Sequence, residues 1–276
     1  MQKVEFTVKK KQELIKAILD ELPFLSRYDV KKIIDNKDVK INNVRTKENI
    51  EVKNNDKVTV FYTEKEQKEW FTLVYKDENI VIVNKKSGIE VVSESERDLV
   101  SILRKENATI VPVHRLDRNT EGLVMFALNK KAESELNKAF KTRTCITKMY
   151  ALLVDGRVDI TQIKRTVYLK KVSELSKVWI SELKTSGYDP VATEFNVLEY
   201  RGNQTLMEAN LITGKTHQIR AHIAYYGYPI VGDTKYGKSN EKQLHLTANF
   251  LKFNFKKDSL LFYLNSKNFE IIPTWL

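Results

Sequence analysis

The residues best suited to chemistry stand in one polar stretch, His114-Arg115-Leu116-Asp117-Arg118-Asn119-Thr120-Glu121-Gly122. It places a single carboxylate, Asp117, between two arginines. The apolar run Thr109-Ile110-Val111-Pro112-Val113 precedes it, and Leu123-Val124-Met125-Phe126-Ala127-Leu128 follows. A loop held between two buried strands is where a rigid scaffold presents reactive groups. Flanking cations favour the ionised carboxylate, which suits an acceptor or nucleophile better than an acid. A second stretch, Ile212-Thr213-Gly214-Lys215-Thr216-His217-Gln218-Ile219-Arg220-Ala221-His222, is also too polar for a plain core element. Gly214 permits a tight turn into a helix whose first turn presents free N–H groups. Arg220 on that helix is available to pair with a carboxylate from elsewhere in the chain.

The elements around these stretches read as an α+β protein with a mostly antiparallel mixed sheet. Leu73–Tyr75, Ile80–Asn84, Thr147–Val154, Thr193–Tyr200 and Thr205–Leu211 have the apolar runs or alternation of strands. Asp98–Glu106 and Lys130–Phe140 read as amphipathic helices, and Thr216 as the cap of a third helix that Gly227 ends. The first sixty residues form a separate pattern. A helix is expected over residues 11–22, stopped by Pro23. A capping box follows at Ser26-Arg27-Tyr28-Asp29, then a helix burying Val30, Ile33 and Ile34. The short alternating strand Asp38-Val39-Lys40-Ile41 closes on an Asn42-Asn43 turn, and Lys57–Phe61 ends the module. Residues 63–69 are charged and lack apolar periodicity, as a linker would. The expected organisation is a small αα-β domain over 1–62, the linker, and a larger domain over 70–276.

Composition narrows the partners. The chain has 276 residues with 47 Lys+Arg against 36 Asp+Glu, a formal net charge of +11 and a pI near 9.4. Such an excess points to a polyanion, and nucleic acid is the first candidate. Cys145 is alone, so no disulfide within the chain and no cysteine-based zinc site is expected. His114, His217, His222 and His245 do not form a standard metal-ligand pair, and no metal is expected. Apolar runs fall far short of a membrane span, and the N-terminus lacks the apolar core of a signal peptide, so a cytoplasmic protein is expected.

The larger domain resembles the RluA-type pseudouridine synthases. His114-Arg115-Leu116-Asp117 with Thr120 and Gly122 matches that family's catalytic motif. Lys148-Met149-Tyr150-Ala151-Leu152-Leu153 matches its tyrosine strand. Gly214–His222, continuing through Gly227-Tyr228-Pro229-Ile230-Val231-Gly232-Asp233 and Tyr236-Gly237, matches its basic motif. Smaller echoes are Val83-Asn84-Lys85, Ala192-Thr193-Glu194 and Leu244-His245-Leu246. Glu121 stands where the family most often has a small residue, and a Glu there is more typical of a sibling group that modifies ribosomal RNA.

The resemblance implies isomerisation of uridine in RNA to pseudouridine without metal or organic cofactor. It implies Asp117 as nucleophile, attacking ribose carbon 1 or the base, or promoting elimination. Tyr150 would lie against the uracil and help remove the proton at its carbon 5; a phenol of ordinary pKa near about 10 needs help for that. Arg220 would pair with Asp117, and Arg115 would fill the space left by the flipped base. His114, Thr120, Lys148, His217 and Gln218 complete the expected RNA contacts.

The first sixty residues look like an S-four-type RNA-binding domain, on the strength of Leu25-Ser26-Arg27, Val39–Asn43 and Asp56–Val60. There Arg27, Lys31, Lys32 and Lys40 would meet RNA phosphates. Large-subunit ribosomal RNA is the expected substrate and a monomer the expected state. Transfer RNA, or a non-catalytic RNA-binding or ribosome-assembly factor, are the alternatives. A glycoside hydrolase would need a second close carboxylate, and Asp117 has cations beside it instead.

Overall fold

The computed structural model describes residues 2–22, 25, 27–62, 70–93, 98–142, 145–238 and 241–276. The chain divides into two compact units, Met1–Lys68 and Glu69–Leu276. The expected linker at 63–69 and the capping residue Ser26, like Pro23, lie outside the described residues.

In the first unit, β1 (Gln2–Thr7) is followed by β2 (Gln12–Glu13), α1 (Leu14–Glu21), α2 (Arg27–Asp35), β3 (Val39–Ile41), β4 (Val44–Thr46), β5 (Glu51–Val52) and β6 (Lys57–Tyr62). The helix expected from residue 11 begins only at Leu14. Gln12 and Glu13 are instead extended and paired with β5. The first helical N–H groups find partners across the chain: Leu14 N donates to Ile50 O and Ile15 N to Asn49 Oδ1, both at 2.9 Å. A side chain distant in sequence thus does the work of a cap. The Asn42-Asn43 turn forms as read, with both residues at positive φ (49° and 73°), which the right-handed twist of a hairpin demands. β1 was not foreseen; it pairs along its length with β6 and completes the sheet order β1-β6-β3-β4. Leu14, Ile18, Val30, Ile34, Val39, Val58 and Val60 form the core beneath it.

The second unit contains β7 (Phe71–Lys76), β8 (Ile80–Lys85), α3 (Leu99–Arg104), β9 (Val111–Pro112), β10 (Glu121–Ala127), α4 (Lys130–Thr142) and β11 (Ile146–Asp155). It continues through β12 (Thr166–Val172), β13 (Lys177–Ser181), β14 (Asp189–Arg201), β15 (Gln204–Leu211), α5 (Gln218–Tyr225), β16 (Leu246–Phe253) and β17 (Asn268–Glu270). One mixed sheet runs in the order β13-β12-β14-β15-β11-β16-β10-β8-β7, with β9 on β10 and β17 on β16. Its pairings are antiparallel except β10 with β16, which meet in parallel over only two residue pairs, Glu121–Thr247 and Gly122–Ala248. The α+β class with a mostly antiparallel mixed sheet is as expected.

The central strands are covered on both faces, which is why β10 reads as an unbroken apolar run. Val124 and Phe126 face a core shared with Leu99, Leu103, Tyr150, Ile219 and Ile223. Leu123 and Met125 face another, built with Ala132, Leu136, Phe253 and Leu264. Truncating Phe126 to Ala would cost about 3–5 kcal/mol. Gly122 makes the parallel seam possible. Its φ is +123°, and a Cβ there would lie 2.4 Å from Ala248 O, so only glycine lets the two backbones approach.

Candidate active site

Where β9 gives way to β10, the loop from Val113 to Thr120 lines a cleft of about 320 Å³. Nine residues singled out from sequence line that cleft: His114, Arg115, Asp117, Thr120, Lys148, Tyr150, His217, Gln218 and Arg220. The other four belong to the first unit. Arg27, Lys31 and Lys32 are exposed on α2; Arg27 lies 3.8 Å from Glu13, and Lys40 Nζ lies over the Phe61 ring.

Three segments deliver the reactive side chains. Asp117 is half-buried on its loop, and the loop is tightened by a Thr120 N to Asp117 O hydrogen bond at 3.1 Å. Tyr150 comes from β11, next to a bulge in which β16 skips Asn249 between its pairings with Met149 and Tyr150. Bulges re-aim side chains at such sites. Lys148, two residues earlier on the same strand face, also enters the cleft, with its Nζ over the Phe140 ring at 5.3 Å. Arg220 comes from the first turn of α5.

The turn into α5 differs from expectation. Thr216 does not cap the helix; His217 occupies that position in the left-handed conformation, φ 54°, without a side-chain cap bond. Gln218 folds back instead. Its Oε1 accepts from Lys215 N at 3.1 Å and Thr213 Oγ1 at 2.8 Å, while Nε2 donates to Ala192 O and Thr193 Oγ1. The Gln218 amide is therefore committed to holding the loop, although its residue lines the cleft.

The charge arrangement also differs from the reading of a carboxylate between two sequence neighbours. Among the described residues, Asp117 pairs with Arg220 (Nη1 to Oδ2, 3.4 Å), and His217 Nε2 lies 3.8 Å from the same Oδ2. Arg118 turns away and donates Nε–H to Gly88 O. Arg115 is exposed at the rim. Asp117 thus meets Arg220, as the resemblance implied, while Arg115 lines the cleft and Arg118 leaves it.

Arg220 is anchored by a residue that sequence reasoning quoted but gave no role. Asp233 accepts from Nε at 2.8 Å and from Nη2 at 2.9 Å, a bidentate pair almost wholly out of water. Burial pushes the Asp233 carboxyl up, but the Arg220 guanidinium outweighs it and holds the group below the usual carboxylate range. Burial likewise opposes the charged Arg220, and Asp233 and Asp117 more than compensate. Gly232 sets this corner at φ +77°, where a Cβ would collide with Gln243 O.

Neutral groups surround the charged pair. Burial lowers the His217 pKa against the opposing pull of Asp117, and its Nδ1 meets Tyr236 Oη at 3.0 Å. Burial and then the Lys148 charge push His114 down to about 3. Its Nε2 accepts the Met125 N–H at 3.0 Å and its ring stacks on Phe140. Burial, with Asp117 adding to it, raises the Tyr150 phenol. The site thus gives Tyr150 no help toward ionising in the free protein.

A second unassigned residue underlies the loop. Lys85 is fully buried, and its Nζ donates to Lys86 O, Ile89 O and Arg118 O, each at 3.0 Å. Burial draws its pKa down to about 7, with the Asp117 and Glu121 charges opposing. Three carbonyls match the three N–H groups of an ammonium, whereas a neutral amine offers two. The signal for Lys85 was a lone lysine ending the apolar run of β8. Glu121 is also buried. Its carboxylate accepts from Thr247 Oγ1, Thr274 N and Thr274 Oγ1, and Trp275 Nε1 donates to Thr247 Oγ1. Among the described residues, no group of three or more His, Cys, Asp or Glu side chains could hold a metal ion. No helix among them is long and apolar enough to cross a membrane.

Comparison with known proteins fits this geometry. The RNA pseudouridylate synthase family model matches residues 79–225, a span that holds Asp117, Tyr150 and Arg220. An uncharacterized RNA pseudouridine synthase of Mycoplasma capricolum is 32% identical over 272 residues, covering 89% of this chain and 88% of the relative. The dual-specificity RNA pseudouridine synthase RluA of Salmonella typhi is 32% identical, covering 74% of this chain and 94% of its own length. The ribosomal large subunit pseudouridine synthase C of Vibrio cholerae is 34% identical over 60% of this chain, which spans about half (52%) of that longer relative. Among solved structures, human RNA pseudouridylate synthase domain containing 1 superposes with a TM-score of 0.59 at 25% identity, covering 73% of this chain and 82% of that one. The chain therefore belongs to the RNA pseudouridylate synthase family, and is an isomerase.

Proposed function

We propose that this protein converts specific uridines of large-subunit ribosomal RNA to pseudouridine, with Asp117 as the nucleophile. The observation that carries the reading is Asp117 in the cleft, 3.4 Å from an Arg220 that Asp233 fixes, with Tyr150 in the same cleft. In this reading the guanidinium orients Asp117 toward the nucleoside. Tyr150 packs its ring against the uracil as a neutral phenol; accepting the carbon 5 proton would first require an ionisation that burial opposes. Exposed Arg115 enters the space of the extruded base. Lys148 meets a phosphate at the rim.

The first unit serves as an S-four-type RNA-binding domain, with Arg27, Lys31, Lys32 and Lys40 meeting phosphates. Ribosomal RNA is favoured by the names of the synthase C relatives together with that basic helix. Transfer RNA is the second reading.

The test is pseudouridine mapping on ribosomal and transfer RNA incubated with wild type and Asp117→Asn. Wild type is expected to modify discrete large-subunit positions, and the variant to bind the same RNA without turnover. Unchanged turnover by Asp117→Asn would sink the assignment of the nucleophile. Product confined to transfer RNA would move the substrate.

A further inference from the structure

The strand hairpin β12–β13 presents two unlike faces. Its inner face, with Val167, Leu169 and Val178, packs on Ala221 of α5, the helix that carries Arg220. On the outer face stands Trp179, 54% exposed on the edge strand of the sheet. Its cross-strand partner is Lys170, so the two side chains share that face. Lys170 Nζ in turn lies over the Tyr188 ring at 5.9 Å. An edge tryptophan does not need to face water for the fold, because the hairpin's buried residues, Val167, Leu169 and Val178, are on the other side.

The surroundings are cationic. Residues 166–184 carry four lysines, Lys170, Lys171, Lys177 and Lys184, against Glu174 and Glu182. Glu182 is already held by Lys164. The hairpin is also tied to the catalytic cleft. Val178 N donates to Tyr236 Oη at 2.8 Å, the same hydroxyl that meets His217, and Lys235 Nζ donates to Ser176 O at 2.7 Å. A flat aromatic face among lysines, on a support shared with the reaction centre, is the chemistry that holds unpaired nucleobases: the ring stacks a base and the ammonium groups meet the adjoining phosphates.

We propose that Trp179 and Lys170 form a stacking subsite for a single-stranded nucleotide flanking the target uridine, outside the catalytic cleft. This deepens the RNA reading above and rests on it. The positive surround favours RNA over a protein partner, for which a bare apolar strip would serve better.

The test uses the full chain and a fluorescent oligocytidylate of about ten nucleotides. That probe has no uridine to isomerise, so binding is read apart from turnover. Trp179→Ala is expected to raise Kd about 5- to 30-fold at fixed salt, within the range for one lost base stack. Trp179→Phe is expected to stay within about 3-fold. Lys170→Gln is expected to reduce the magnitude of the slope of log K against log salt by about 0.7. Thermal unfolding of each variant checks that the exposed substitutions leave the fold intact. Trp179→Ala binding the oligonucleotide as tightly as wild type would overturn the proposal. So would a self-association of wild type that Trp179→Ala abolishes while RNA affinity stays unchanged, since the surface would then be a protein contact. Failure of wild type to form pseudouridine would count against the functional reading and leave this binding result to be judged separately.

Discussion

Arg220 divides its guanidinium between two carboxylates, giving Nε and Nη2 to Asp233 at 2.8 and 2.9 Å and Nη1 to Asp117 at 3.4 Å. The closer, bidentate pair fixes where the arginine is. The looser contact is the one a substrate can compete for. Asp233 is therefore a positioning residue, and Arg220 acts on Asp117 from a place that Asp233 defines.

Asp233→Asn is expected to lower the unfolding free energy by about 3 kcal/mol, because it leaves the buried guanidinium without its closer, bidentate counter-charge and only the looser Asp117 contact. Turnover should fall with it. Urea denaturation and single-turnover pseudouridine formation check both. Arg220→Lys should retain charge but lose the fork, and so recover little activity. Stability within 1 kcal/mol of wild type in Asp233→Asn would contradict the anchoring role.

Acid sensitivity should trace in part to His114. Its folded pKa is depressed to about 3, against an unfolded value near about 6.5. Between those values the unfolded chain binds the extra proton, so stability rises with pH and is lost as pH falls from 6.5 toward 3. His222, depressed to about 4 with burial the main cause, adds to the same slope. His114→Gln keeps an acceptor for the Met125 N–H and removes the titration. Its unfolding free energy should vary less than that of wild type between pH 6.5 and 4, measured by urea denaturation at several pH values.

Thr274→Val removes one hydroxyl donor, shared between the two oxygens of the buried Glu121 carboxylate, and leaves the Thr274 N–H and Thr247 Oγ1. A loss of about 1 kcal/mol in stability is expected, with a larger proportional loss in turnover. Equal activity in the two proteins would show that Glu121 supports the strand without touching the geometry of the loop.

Gly232→Ala would place a Cβ 1.7 Å from Gln243 O at a φ of +77°. The backbone must move, and it carries Asp233. A loss of at least about 3 kcal/mol is expected, read from the thermal midpoint or from failure to obtain folded protein.

The residues that line the cleft were readable where local motifs single them out. Asp117, Tyr150 and Arg220 lie on three distant segments, and their motifs announced them before the sheet brought them into one cleft. What sequence missed is long-range pairing. Asn49 as the cap of α1, Asp233 as the anchor of Arg220, and the Glu121–Thr274 contact each join residues that no local pattern connects. Lys85 entered only as part of the Val83-Asn84-Lys85 echo, and nothing local to that segment shows that its ammonium is buried among carbonyls. The pairing of Arg220 with Asp117 that the resemblance implied is present, whereas the sequence neighbour Arg118 is turned to Gly88 O, because adjacency in sequence is not adjacency in space. The strand β1 went unread because its alternation of Val4 and Phe6 is short and flanked by charge.

The two-residue parallel seam between β10 and β16 has a consequence for rate. Asp117 travels with β10, while Tyr150 rides on β11, reached only through β16. Asp117 and Tyr150 thus belong to opposite halves of the sheet, aligned by Glu121–Thr247 and Gly122–Ala248. A slip of about 1 Å along that join would barely change the buried area, yet it would cost a reaction that depends on near-attack geometry on the order of a hundredfold. Catalytic fitness and thermal robustness should therefore part company for substitutions along this seam, with activity the more fragile of the two.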